Sequence, residues 1–319
     1  MKKRVFSGLL VVLVIVLSLG LLTNHQSIKD YYVVRTTSLQ PESSELANKL
    51  DLTKSGDFLY KASQPAVQSA KDFNASCKSV AHEHSIVLGC YTRQKIYVYN
   101  VTDDRLAGVQ EVTAAHELLH AVYERMSPSQ KEELNTVLVS TAASIENQRF
   151  KDTVEEYKRT EPDQVENELH SILGTEIQVL PEKLEAHYKK YFNNREKIVS
   201  YAKQYEDSFT SLDAKIKGYD DQLAALKSQK EALESSLAAY QTQIEAEKAQ
   251  LDSLRSSGDS EAYNNRVPDF NQKIQDYNSE ISQLKQIINE YNTLVEKRNS
   301  LAATQNDLVK ELDSSYKSL

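Results

Sequence analysis

His116, Glu117 and His120 stand in the order His-Glu-Leu-Leu-His, inside a run from Ala114 to Tyr123 that holds no Gly or Pro. On a helix, residues four apart lie on one face, about one turn above each other. His116 and His120 can therefore aim two imidazole nitrogens at a single metal ion. Glu117 lies beside them, where a carboxylate can take a proton from a water that the metal polarises. These residue types at this spacing point to hydrolysis assisted by Zn2+.

The neighbours of the motif must hold it in place. Val112, Ala115, Leu119 and Val122 keep helical spacing, so the helix rests one side on a core. Ile86–Tyr91 and Lys95–Asn100 are rich in β-branched and aromatic residues and flank the polar Thr92-Arg93-Gln94. They read as an antiparallel hairpin whose edge can line a cleft and pair with an extended peptide. A third metal ligand is sought in Val165–Leu173, which is helical by spacing with Val165, Leu169, Ile172 and Leu173 inward. Glu168, Glu166 and His170 are the candidates there, and periodicity does not choose between them. Two histidines and one carboxylate would leave a fourth position open to water, as a catalytic site requires.

His116-Glu117-Leu118-Leu119-His120, together with Asn167-Glu168, resembles the gluzincin branch of zinc metallopeptidases over roughly residues 55–200. The resemblance implies an α+β zincin-like domain, with a small antiparallel sheet plus helices. It implies His116, His120 and Glu168 as zinc ligands, Glu117 as general base, and a protein or peptide as the substrate of an endopeptidase. In that branch an aspartate follows the ligand glutamate by four residues; Ile172 stands there in this chain. Tyr123 is given no role, and Asn147–Gln164 is strongly polar with no residue assigned to chemistry. His82-Glu83-His84 reads as an exposed loop, and His25 and His187 as structural or surface residues.

The rest of the chain sets the context. It has 319 residues, 26% of them charged, with eight Gly, six Pro and no Trp, a composition that favours helix over turns. A net charge of −8 and the lack of a basic cluster argue against a nucleic-acid partner. Met1-Lys2-Lys3-Arg4 precedes an apolar run from Val5 to Leu22, which at helical rise spans about 27 Å. This predicts a transmembrane signal anchor over residues 1–23 that contacts the lipid bilayer. It would leave the N-terminus cytoplasmic and the bulk of a single-pass protein extracytoplasmic. Export would permit a Cys77–Cys90 disulfide.

Residues 24–54 read as a tether with a short helix, and residues 55–205 as the peptidase domain. Asp57–Ala62 is expected to be a strand. From 206 to 319 the apolar residues keep heptad spacing, first from Leu212 to Leu254 and again from Ile274 to Tyr316, through Ile288, Val295 and Val309. This predicts an all-α antiparallel coiled-coil hairpin with its tip near residues 256–268. Its arms are about 64 Å long, and Lys230 is expected opposite Arg298. Such a hairpin offers a surface for a protein partner or self-association. The competing expectation is an inactive zincin-fold envelope protein that acts as a coiled-coil scaffold or regulates another hydrolase.

Overall fold

A computed structural model describes residues 25–78 and 86–317. Helix makes up 80% of it, against one sheet of three short strands. The expected α+β zincin-like class is therefore corrected to a mainly helical one. The described residues form two units. One runs up to Ser208 and resumes at Leu308; the other is Phe209–Asp307.

The first unit opens with α1 (His25–Thr36), α2 (Pro41–Leu50) and α3 (Lys54–Ala62). Where a tether was expected, α1 is held by a buried ion pair: Arg125 donates from Nε and Nη2 to Asp30 at 2.8 and 2.9 Å. The expected strand at Asp57–Ala62 is instead most of α3. Its residues include no β-branched side chain, and the Thr53 hydroxyl caps the helix by accepting the Gly56 N–H at 3.1 Å.

Next come β1 (Ala66–Gln68), α4 (Ala70–Ser76), β2 (Gly89–Thr92) and β3 (Lys95–Tyr99). The strand order is β1-β3-β2, so β2 is an edge. β2 pairs antiparallel with β3 in the register Gly89↔Val98 and Tyr91↔Ile96. β1 pairs parallel with β3, which makes the sheet mixed rather than antiparallel. Cys77 and Cys90 form a disulfide that joins the end of α4 to β2.

Five helices complete the unit's core and floor: α5 (Val109–Glu124), α6 (Pro128–Ser144), α7 (Gln148–Thr160), α8 (Val165–Glu176) and α9 (Glu182–Tyr188). α5 starts at Gly108, whose φ of 96° is left-handed and whose Cβ would stand 2.5 Å from the Tyr201 carbonyl oxygen. The core gathers Leu50, Tyr60, Ile96, Leu118, Leu119, Leu138, Leu173, Leu184, Tyr188 and Phe192, all without exposure. Each large side chain removed from water in this way contributes about 1.5–3 kcal/mol, so α5 and α8, which supply three of them, are firmly seated. After the second unit the chain returns as α12 (Ser314–Lys317). There the Asn74 amide donates to the Ser314 carbonyl at 3.0 Å and accepts from its hydroxyl at 2.7 Å.

The second unit, Phe209–Asp307, is the greater part of α10 (Arg195–Ser257) and α11 (Ser260–Leu312), which pack as a hairpin. Gly258, at φ 78°, makes the turn, and Asp259 caps α11 by accepting the Ala262 N–H at 3.1 Å. α11 runs straight through Pro268, so the tip is much tighter than expected and the arms pair in another register. Arg298 meets Asp220 at 3.1 Å, Gln305 meets Asp213 at 2.6 Å, and Ser236 meets Glu280 at 3.0 Å. Lys230 does not face Arg298; it bonds Glu234 on its own helix at 2.8 Å. The expected seam is kept in part, with Tyr277, Ile281, Leu284, Tyr291 and Val295 half-buried. Ile288 is 37% and Val309 41% exposed, whereas Leu294 and Leu308 are 8% and 2%. Ile287, Leu294, Leu301 and Leu308 form a second column seven residues apart, bulkier than Val295, Ala302 and Val309, and burying it removes more apolar surface.

The described residues give the single-pass, extracytoplasmic placement no support: among them no helix is long and apolar enough to cross a membrane. Residues 1–23, on which the anchor was read, and His82-Glu83-His84 lie outside the described residues.

Candidate metal centre

α5 and α8 pack against each other, and their facing sides build the site. From α5, His116 and His120 turn their Nε2 atoms to α8, where each lies 3.5 Å from a different oxygen of Glu168. One donor atom from each of the three residues lies within 4.8 Å of the others, the spacing of ligands around one ion. The carboxylate is only 12% exposed, and its Oε2 accepts no hydrogen bond. A buried acceptor without a donor is costly, and a cation between the three side chains would satisfy it. Two nitrogens and one oxygen are a donor set that suits Zn2+. The residues present fit that ion.

Sequence reasoning left Glu168, Glu166 and His170 open. The structure turns Glu168 to the histidines, sends His170 into the interior and leaves Glu166 out of the group of three donors. The Nδ1 of His120 lies 3.1 Å from Asn167 Oδ1 and 3.3 Å from the Ser171 hydroxyl. Donation from Nδ1–H to Asn167 fixes the tautomer that leaves Nε2 with its lone pair toward Glu168. Asn167 thus acts on the second histidine. At the aspartate's expected position, Ile172 is 4% exposed and packs in the core.

Glu117 is 6% exposed, under strand β2. Burial pushes its carboxyl up to about 7, with His120 pulling it down and Glu168 adding to the rise. For Glu168 burial acts upward too, but His120, His116 and the Tyr157 hydroxyl outweigh it and hold the carboxyl at about 2. The two acids of the site are therefore driven apart, one a ready proton acceptor near neutrality and the other a permanent anion.

Tyr157 is the residue that sequence reasoning missed. It lies on α7, in the stretch given no chemistry, and its phenol faces the Glu168 and Glu117 carboxylates. Burial and the facing carboxylates Glu168 and Glu117 push its phenol far above the usual range, so it stays protonated and can donate. Only its place in the polar helix, on the side bearing Phe150 and Val154, hinted at an inward direction. Tyr123 donates to Asn135 at 3.0 Å, and its ring lies tilted against that of His170 at 5.6 Å.

The site borders a wide cleft walled by β2, α5 and α7 and by the start of α10. The Tyr99 N–H donates to the Leu88 carbonyl at 2.8 Å, which sets the alternation of the β2–β3 ladder. Gly89 and Tyr91 then fall at non-hydrogen-bonded positions, and their backbone N–H and C=O groups turn away from β3, toward the cleft.

No protein-family model matches this chain, and comparisons with curated proteins and with solved structures give no match either. The likeness to gluzincins thus stands on the two short motifs alone.

Proposed function

We propose that this protein is a zinc-dependent peptidase that hydrolyses extended peptides lying along β2. One observation carries the reading: a buried carboxylate without a hydrogen bond to one oxygen faces two Nε2 atoms, with a second buried carboxylate beside them at the wall of an open cleft. His116, His120 and Glu168 would hold the ion, and when bound it supplies Lewis acidity toward a water and a scissile carbonyl. Glu117 takes the proton of the attacking water and returns it to the leaving amine. Tyr157 offers a hydroxyl donor on the same side as Glu168. Asn167 keeps His120 in one tautomer. The outward N–H and C=O groups of Gly89 and Tyr91 align a peptide main chain, as an added strand would be aligned.

Purified protein should carry one zinc per chain and cleave an unstructured protein such as casein. Glu117→Gln should retain the zinc and lose cleavage by at least about a thousandfold, as expected for loss of a general base in a site otherwise intact. Equal zinc binding by both proteins, with neither cutting a broad peptide library, would remove the enzyme from consideration.

A further inference from the structure

Strand β2 passes unusually close to Glu117, and it can do so only because residue 89 has no side chain. A Cβ built on Gly89 would lie 2.5 Å from Thr113 Cγ2, 2.7 Å from Glu117 Oε1 and 2.9 Å from Glu117 Cγ. A Cβ atom does not tolerate contacts this short, so Thr113 and Glu117 would have to move. Glu117 has little room to do so, being enclosed with only 6% exposure. Along a strand successive side chains alternate in direction. The face of β2 at Gly89 therefore presses on α5, while the next residue, Cys90, points the other way and is tied by its disulfide to Cys77 at the end of α4. β2 is seated from both sides.

We propose that Gly89 is a positioning residue for Glu117: the bare backbone there sets where the carboxylate rests, and a larger residue uncouples metal binding from turnover. The turnover half of this statement rests on the peptidase reading; the positional half does not. Thr113 takes part through its methyl group, the nearest atom to the missing Cβ. Shortening it should let an added methyl at position 89 move off Glu117.

The test compares wild type, Gly89→Ala and the double variant Gly89→Ala/Thr113→Ser. For each, zinc affinity, kcat and KM on casein-derived peptides, and a crystal structure of the Glu117 region would be measured. Gly89→Ala should bind zinc within about threefold of wild type, because the three atoms nearest the new methyl belong to Thr113 and Glu117 and not to a metal ligand. Its KM should change little, while kcat falls by roughly a hundredfold, the size associated with a misplacement of about 1 Å. Its crystal structure should show the Glu117 carboxylate displaced, and the double variant should return the carboxylate and recover at least about tenfold in kcat.

Unchanged kcat with Glu117 in place in Gly89→Ala would overturn the proposal. So would parallel losses of zinc and activity that the double variant does not reverse. If Gly89→Ala does not fold, the double variant decides alone: folded and active supports the proposal, folded and inactive with Glu117 in place overturns it. A wild type that cleaves nothing would sink the peptidase reading, and the crystallographic position of Glu117 would still settle the role of Gly89.

Discussion

Two pairs of histidines meet at helix α8, and they live in opposite surroundings. His116 and His120 face the two oxygens of Glu168 at the edge of a cleft. His170, two residues along α8 from Glu168, is fully buried and meets His187 with 2.9 Å between their Nε2 atoms, among the rings of Tyr123, Tyr188 and Tyr191. Both pairs put imidazoles within reach of one ion. Only the first has a carboxylate to balance a cation, and among the described residues it is the group of three that could hold one. The second pair stays neutral: burial pushes His170 far down, helped by His187, and burial pushes His187 to about 4, helped by Lys190. Histidine type alone thus decides little; the charge of the third partner makes one pair a site and the other a piece of core.

The sharpest way to break this contrast is zinc titration. Four-ligand zinc sites bind with roughly 10–16 kcal/mol, so one ligand is worth about 3 kcal/mol or more. Glu168→Ala should lower zinc affinity by at least about a hundredfold. His170→Ala and Glu166→Ala should each leave it within about threefold, although His170→Ala should cost about 2–4 kcal/mol of folding stability through the cavity it opens. A zinc loss from His170→Ala as large as from Glu168→Ala would mean that the two pairs are not distinct.

Acid unfolding probes the second pair. The folded His187 has its pKa near 4, below the ordinary value of 6.5. Between those values the unfolded chain holds the extra proton, so stability is full above pH 6.5 and is lost as the pH falls toward 4. The loss amounts to about 3 kcal/mol at most. The groups that face His187 are His170, Tyr188, Tyr191 and Lys190. None is an anion that would reverse the sign. Denaturant unfolding of metal-free protein between pH 7 and 4 should show this slope, and His187→Gln should flatten it by half or more. A slope unchanged in His187→Gln would place the acid sensitivity elsewhere.

The smallest expected effect sharpens the first pair. Asn167→Ala frees His120 to turn or change tautomer and should weaken zinc binding by about 10–100-fold. Asn167→Asp, which keeps an acceptor for Nδ1–H, should stay near wild type. An alanine variant with wild-type affinity would leave Ser171 as the partner that matters.

How much of this was legible depended on how local the cause was. His116, Glu117 and His120 could be read because i, i+4 geometry is written in the chain itself. Glu168 could be named from its motif but not chosen by periodicity, since whether 166, 168 or 170 faces α5 depends on how two helices pack. Tyr157 was invisible: a tyrosine in a polar helix gains meaning only when α7 lies across the cleft. Asp57–Ala62 read as a strand from its apolar centre, yet the cap at Thr53 won. In the hairpin the heptads announced two long arms, but two apolar columns competed in α11. Pro268, taken as part of the turn, proved compatible with helix, so the register was lost while the architecture was kept.

The return of Ser314 to Asn74 has a kinetic meaning. These partners are 240 residues apart in the chain, and closing so long a flexible loop is entropically slow. The loop is not flexible once α10 and α11 have zipped from their tip at Gly258, because each step of that zipper joins residues already near each other. A hairpin that forms first would serve as a folding shortcut, bringing the two ends of a divided unit together before either end has to search for the other.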